Sequence, residues 1–351
     1  MKILYAIQGT GNGHLSRARD IIPLLQNKCE VDILVSGYQS DVELPFPVKY
    51  HTKGLSFIFG KKGGVDLWNT YIKANTKRLY KEIKKLPVKE YDFVINDFEP
   101  VSAWACYLNK VPCITLSHQS AVLDKNSPKP KKRNPFGKFI LKNYAPSTVK
   151  YGLHFSRYSK NIFTPVIRKE IREIEKSDKG HYTVYLPSYD EEKLIKVLKE
   201  IQDARWQVFS KHSNTPSLHN NIEVYPVTNV DFIKSMASST GILCGAGFET
   251  PAEALFLGKK LMVIPMNNQY EQQCNAAALK GMGVPVLKKL SLKNLEKIKD
   301  WVESDYRIEI NYPDITEKII NYIFEDHVQN ILKKNKWKKD YKLAFPIGKQ
   351  K

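Results

Sequence analysis

Two glycine-rich segments, each leading into a run with helical spacing, carry most of the residues whose types suit chemistry. The first is Gly9-Thr10-Gly11-Asn12-Gly13-His14. Glycines let a backbone come close to a ligand, and the free N–H groups of a helix start favour an anion. His14 stands where loop becomes helix, which makes its imidazole a candidate general base near neutral pH. Polar side chains also gather at helix starts as caps, so a capping role for His14 stands beside the catalytic one. The segment departs from the dinucleotide fingerprint G-x-G-x-x-G. His14 occupies the place of the third glycine, and Ser36-Gly37 stands where an acid would meet the ribose. A nicotinamide enzyme is therefore not expected.

The second segment runs from Cys244 through Gly245-Ala246-Gly247 to Phe248-Glu249-Thr250-Pro251-Ala252-Glu253. Thr250-Pro251-Ala252-Glu253 matches a capping box, with Thr250 as N-cap, Pro251 at the first helical position and Glu253 reaching back. The functional alternative is a Glu253 carboxylate accepting both ribose hydroxyls of a nucleotide. Further on, Val263-Ile264-Pro265 closes a strand and Glu271-Gln272 opens a helix, where acid and amide groups can hydrogen-bond sugar hydroxyls. Three more candidates end apolar runs: Asp97 and Glu99, either of which could orient His14 or serve as base, and His118, which could touch acceptor or donor. Acids in such places also cap the following helix. No D-x-D pair suggests a metal site, and no metal is expected.

The elements that must position these residues alternate in type. Ile3 to Ile7 reads as a strand; Leu15, Ala18, Ile22 and Leu25 follow at helical spacing; Val31 to Val35 reads as a strand again. Tyr91 to Asp97 and Val111 to Leu116 continue the alternation. A second series starts at Tyr182 to Leu186 and passes through strands at Trp206 to Phe209, Ile222 to Tyr225, Gly241 to Cys244 and Lys260 to Ile264. Two such series predict two doubly wound α/β domains whose ligands lie beyond the carboxyl ends of the strands. The expected limits are an acceptor-side domain over 1–155, a donor-binding domain over 156–310, a C-terminal helix within 311–332 that crosses back, and a basic tail over 333–351.

The stretch from Gly245 to Gly283 resembles the donor-binding segment of nucleotide-sugar glycosyltransferases of the GT-B architecture. The shared pattern is a glycine loop, T-x-x-E-A-L-x-x-G at Thr250 to Gly258, an apolar strand closing in Pro265, and D/E-Q-x-x-N-A at Glu271 to Ala276. Gly11-Asn12-Gly13-His14-Leu15-Ser16-Arg17 is similar to the G-x-G-G-H loop of the lipid-linked N-acetylglucosaminyltransferase of peptidoglycan synthesis and its relatives, among the UDP-glycosyltransferases. The resemblance implies a GT-B fold of two Rossmann-like domains facing a cleft. It implies that Glu253 binds the donor ribose, that Glu271 and Gln272 contact the transferred sugar, and that Gly245, Ala246 and Gly247 approach the diphosphate. It places Gly11, Asn12, Gly13 and His14 on the acceptor side. Two residues depart from the family pattern, which often has Asp where Glu271 stands and Gly where Ala246 stands. The activity implied is inverting transfer of a sugar from a nucleotide-sugar, a UDP-sugar in the first instance, to a glycan or lipid-linked acceptor in cell-envelope synthesis. No cofactor is implied, since the nucleotide-sugar is a substrate. A nucleotide-sugar 2-epimerase of the same architecture is the alternative enzyme.

Net charge is +19, of which residues 125–150 contribute eight Lys or Arg without an acid, and residues 333–351 eight Lys with one Asp. The rest of the chain is nearly neutral, so the charge is local. Basic residues interleaved with Phe136, Phe139, Ile140, Leu141 and Tyr144 suit an anionic membrane surface, and residues 125–152 and 333–351 are the expected contacts. Pro128, Pro130, Pro135 and Pro146 suit a mobile solvated loop equally well. A polyanion-binding protein is the non-enzymatic reading, but no nucleic-acid module is recognisable and no nucleic-acid partner is expected. Five scattered cysteines without a C-x-x-C pair, and no apolar run approaching about 18 residues, lead to the expectation of a cytoplasmic protein, peripheral at most on the inner membrane face.

Overall fold

The computed structural model describes residues 1–10, 12–37, 44–55, 59–60, 64–65, 76–132 and 134–325. Gly11 and the basic tail over 333–351, both singled out above, and Arg133, one of the eight basic residues of 125–150, lie outside the described residues.

The first sheet is built from β1 (Lys2–Gln8), β2 (Glu30–Ser36), β3 (Tyr50–Thr52), β6 (Phe93–Asp97), β7 (Cys113–Ser117), β8 (Val149–Leu153) and β9 (Ile162–Phe163). A small pair, β4 (Phe59–Gly60) and β5 (Gly64–Val65), stands apart. Ile3 to Ile7 are buried on both faces, as a central parallel strand requires. The order is β3-β2-β1-β6-β7-β8-β9, with Ala6 registered between Leu34 and Asn96. Strand order therefore reverses between β1 and β6, and the chain leaving each opens a crevice there. Helix α1 (Asn12–Gln26) follows β1; α2 (Thr76–Lys85) precedes β6; α3 (Pro100–Asn109), α4 (His118–Leu123) and α5 (Pro135–Tyr144) connect the remaining strands.

The second sheet contains β10 (His181–Tyr185), β11 (Arg205–Ser210), β12 (Ser217–His219), β13 (Ile222–Pro226), β14 (Gly241–Gly245) and β15 (Lys260–Ile264), in the order β12-β13-β11-β10-β14-β15. All pairs are parallel except β12 with β13. That edge strand escapes an alternation argument because it is only three residues long and Leu218 faces solvent. Here the order reverses between β10 and β14. Helix α6 (Lys169–Glu173) lies in the connection between the sheets. Helices α7 (Glu191–Leu198), α8 (Asn229–Ser238), α9 (Glu249–Phe256), α10 (Tyr270–Gly281) and α11 (Leu295–Glu303) belong to the second series. The last described helix, α12 (Thr316–Ile323), packs on α1, with Phe324 edge-on to Phe93 and the Tyr312 hydroxyl donating to the Phe155 carbonyl at 2.9 Å. This is the two-domain Rossmann-like architecture that the motif pattern implies.

The mobile-loop reading of residues 125–152 is corrected by the packing. Lys129 Nζ donates to the carbonyls of Val122, Asp124 and Ser127 at 2.6, 2.7 and 3.0 Å, and α5 buries Leu141 and Tyr144. Apolar residues at helical spacing outweighed the prolines, one of which, Pro135, simply begins the helix. All five cysteines are free thiols. Among the described residues no helix is long and apolar enough to cross a membrane.

Candidate active site

The switch point of the first sheet sets the start of α1 over the end of β6. Asp97, the last residue of β6, is fully buried, and its Oδ1 lies 2.9 Å from His14 Nδ1. A carboxylate only accepts, so in this contact Nδ1 is the donor and Nε2 is the ring nitrogen left to face the cavity. Arg17, one helical turn beyond His14, is also buried, and its Nη2 donates to both Asp97 oxygens at 2.9 and 2.7 Å. Burial alone would raise the Asp97 pKa, but Arg17 and His14 outweigh it and hold the carboxyl below its ordinary value. Asp97 is thus an ionised orienter of His14.

Glu99 requires a correction. It is the N-cap of α3, with its two carboxylate oxygens accepting the N–H groups of Val101 and Ser102 at 2.7 and 2.6 Å, and it is fully buried. Both acceptors are committed to backbone, so Glu99 is not a base in the cavity.

On the opposite wall, β14 runs through Gly245-Ala246-Gly247 into α9. The capping box does not form. The helix starts earlier than the pattern suggests, Phe248 is its N-cap residue, no side chain caps it, and Thr250 already lies within the helix. With Pro251 lacking an N–H, the first-turn donors at this uncapped start are those of Glu249 and Thr250. A Cβ on Gly13 would stand 2.7 Å from Glu249 Cγ, so the first turns of α1 and α9 approach closely here and any larger residue at 13 would have to displace the Glu249 side chain. Across that contact Arg17 Nη1 donates to Glu249 Oε1. Burial pushes the Glu249 carboxyl up to about 7, against the pull of Arg17 and with a further push from Glu253.

Glu253 differs from the expectation of a ribose ligand. It is 1% exposed, and its two oxygens accept Arg168 Nε and Nη2 at 2.5 and 2.8 Å. Arg168, from the connection between the sheets, is held in turn by Asn229 Oδ1 at 2.8 Å. The carboxylate is engaged by a cation that the local motif does not contain.

The remaining predicted residues divide similarly. Gln119 Nε2, from α4, donates to Glu271 Oε2 at 3.1 Å, joining the two walls. Gln272 Oε1 accepts the Met266 N–H at 2.9 Å. His118 lines the cavity with its ring face, stacked on Phe248 at 3.9 Å between centroids. A free hydrogen-bonding role for His118 is corrected, because its Nδ1 lies 2.8 Å from the Leu153 carbonyl and its Nε2 lies 2.7 Å from Asn275 Oδ1. Ala246 is buried, and its carbonyl accepts Asn275 Nδ2 at 3.1 Å.

These walls enclose a cavity of about 670 Å³, lined from the first domain by Asn12, Gly13, His14 and Arg17 and from the second by Gly245, Gly247, Glu249, Thr250, Glu271 and Gln272. Its volume suits a ligand of nucleotide size. An oriented imidazole lies on one side and an uncapped helix start on the other, an arrangement that can take a proton from a hydroxyl while holding an anion. Among the described residues no cluster of three or more His, Cys, Asp or Glu side chains is placed to hold a metal ion. The motif reading missed Arg17, Glu249, Gln119 and Arg168. Spacing carried part of the signal: Arg17 follows His14 by three and Glu249 precedes Glu253 by four, so each pair shares a helix face.

The model of glycosyl transferase family 1 matches residues 1–304. Among solved structures the chain is similar to the Acinetobacter baumannii MurG, with a TM-score of 0.52 and 13% identity over 95% of this chain and 98% of that one. It is also similar to the glycosyltransferase SnogD from Streptomyces nogalater, with a TM-score of 0.52 and 14% identity over 95% of both chains. UGT89C1 of Arabidopsis thaliana, solved with UDP, gives a TM-score of 0.56 and 12% identity over 95% and 99%. At these identities the likeness is one of fold, and the fold is GT-B. Among curated proteins none matches the chain in sequence.

Proposed function

The chain belongs to glycosyl transferase family 1, and from that premise we propose that it transfers a hexosyl group from a UDP-sugar to the hydroxyl of a glycan or lipid-linked acceptor, with inversion and without a metal ion. The observation that carries the reading is the His14–Asp97 pair facing the glycine loop and helix start of β14–α9 across one cavity. The acceptor oxygen attacks the anomeric carbon as the bond to the diphosphate breaks. His14 Nε2 takes the hydroxyl proton, and Asp97 stabilises the resulting imidazolium. The charge on the departing diphosphate is met by the N–H groups of the Gly245–Gly247 loop and of α9.

The test pairs binding with turnover. Isothermal titration with UDP is expected to show one site, and a UDP-sugar is expected to release UDP only when acceptor is present, at a rate unchanged by EDTA. Conversion of the UDP-sugar to its 2-epimer without acceptor would support the epimerase instead.

The lipid-linked acceptor and an anionic membrane surface are supported by α5, where Phe136 and Phe139 are 53% and 41% exposed beside the exposed Lys138 and Lys142. Co-sedimentation with phosphatidylglycerol vesicles, lost in Phe136→Ser/Phe139→Ser, tests that part.

A further inference from the structure

Arg17 is a charged group of the site that serves both walls. One guanidinium nitrogen, Nη2, is committed to Asp97, the other, Nη1, to Glu249, and Nε, also buried, has no hydrogen-bond partner. Two carboxylates therefore share one guanidinium. With Asp97 already balancing it, Glu249 leaves the cluster with an excess negative charge beside the loop and helix start where an anion would bind. A diphosphate entering there meets a carboxylate of the same sign, whose repulsion in a desolvated cleft is larger than in water.

The groups that face Glu249 can be followed element by element. From α1 come Arg17, which favours its charge, and His14; from β6 comes Asp97, and from β1 comes the buried phenol of Tyr5. From its own helix comes Glu253, which disfavours its charge, and beyond that lies Arg168, paired to Glu253. Lys211 and His212 line the same cavity. Arg17 is in direct contact with Glu249.

We propose that Glu249 is a proton-linked placeholder for the donor diphosphate: it holds Arg17 Nη1 before the nucleotide binds, then takes a proton from solvent and releases that nitrogen to a diphosphate oxygen as the nucleotide binds. Arg17 Nη2 stays on Asp97 throughout, so His14 keeps its orientation while the charge of Arg17 is redirected. The inference rests on the donor site proposed above. It adds that nucleotide affinity rises as pH falls, with one group, Glu249, responsible. The burial that pushes this carboxyl up to about 7 puts the proton within reach at neutral pH. Binding a diphosphate raises its proton affinity further, and linkage then weakens binding as pH rises through the free-state value.

Titration calorimetry with UDP on the full chain tests this, comparing the wild type with Glu249→Gln. In the wild type, the affinity for UDP is expected to fall roughly tenfold between pH 7.0 and 8.5, a range above the ligand's own phosphate titration. Glu249→Gln, a permanent mimic of the protonated acid, is expected to change by less than about twofold and to bind more tightly than the wild type at pH 8.5. Binding heats for the wild type at pH 7.5 in phosphate and in Tris, whose ionisation enthalpies differ, are expected to report net proton uptake, and this readout needs no variant. UDP binding with no proton uptake, or with the same pH dependence in both proteins, overturns the placeholder and leaves the donor site standing. Absence of binding by UDP, GDP and dTDP alike overturns both.

Discussion

The units β1–α1 and β14–α9 share one backbone device and put it to different uses. Each leaves a parallel strand at the switch point of its sheet, passes through glycines and starts a helix at the cavity, and each presents two charged or titratable residues on one helix face. In α1 the residue nearer the loop, His14, is oriented within its own domain by Asp97, and the deeper one, Arg17, reaches across. In α9 the order is inverted: Glu249, nearer the loop, reaches across, while Glu253 is locked from behind by Arg168. The same glycine loop serves both units, and it is the neighbours of the first helical turn that set what each presents to the cavity: an imidazole oriented by a carboxylate in one, a carboxylate reaching an arginine across the cleft in the other.

Breaking the first unit should have the largest effect. His14→Ala and Asp97→Asn are each expected to lower kcat by on the order of 10³-fold, with UDP affinity unchanged in calorimetry for His14→Ala. A loss below tenfold in His14→Ala would move the base elsewhere. The second unit should answer differently. Glu253→Gln removes the carboxylate that accepts both Arg168 Nε and Nη2, leaving the buried guanidinium with the more distant Glu170 carboxylate at 3.9 Å, and a loss of about 3 kcal/mol in urea unfolding is expected; adding Arg168→Met should recover part of it. A large loss of UDP affinity with stability intact would instead return Glu253 to the ribose.

The contact between the units gives a smaller effect. Gly13→Ala places a methyl 2.7 Å from Glu249 Cγ, and overpacking there is expected to cost about 1–2 kcal/mol and to weaken UDP binding. Smallest is the pH dependence of stability. The Glu249 carboxyl titrates near 7 in the fold and near 4.3 in an unfolded chain. The folded state thus binds more protons between those values, and the stability this contributes is full below pH about 4.3 and is lost as pH rises through 7. At pH 8, Glu249→Gln is therefore expected to melt at or above the wild type, by about 2 °C. A lower melting point would mean that Arg17 needs both carboxylates.

Part of this was legible in the residues. Parallel strands buried on both faces leave continuous apolar runs, which is why Ile3 to Ile7 and Lys260 to Ile264 read as strands and the α/β architecture followed. Glycine loops after strands were legible for the same local reason. The short strands β3, β9 and β12 were not, since two or three residues carry no period. Helix α5 was obscured by the prolines around it and by its lysines, whose meaning depends on what the helix packs against.

The order of strands and helices, the two glycine loops and the family pattern of Gly245 to Gly283 were therefore settled by the chain's own residues, because periodicity and backbone freedom act over a few neighbours. Which acid meets which base was decided by folding alone. Asp97 follows Arg17 by 80 residues, Glu249 by 232, and Arg168 precedes Glu253 by 85. Arg17 meets Asp97 once β6 pairs beside β1, and it meets Glu249 once the two sheets turn their switch points toward one cavity; the direction of each pKa shift follows from those meetings.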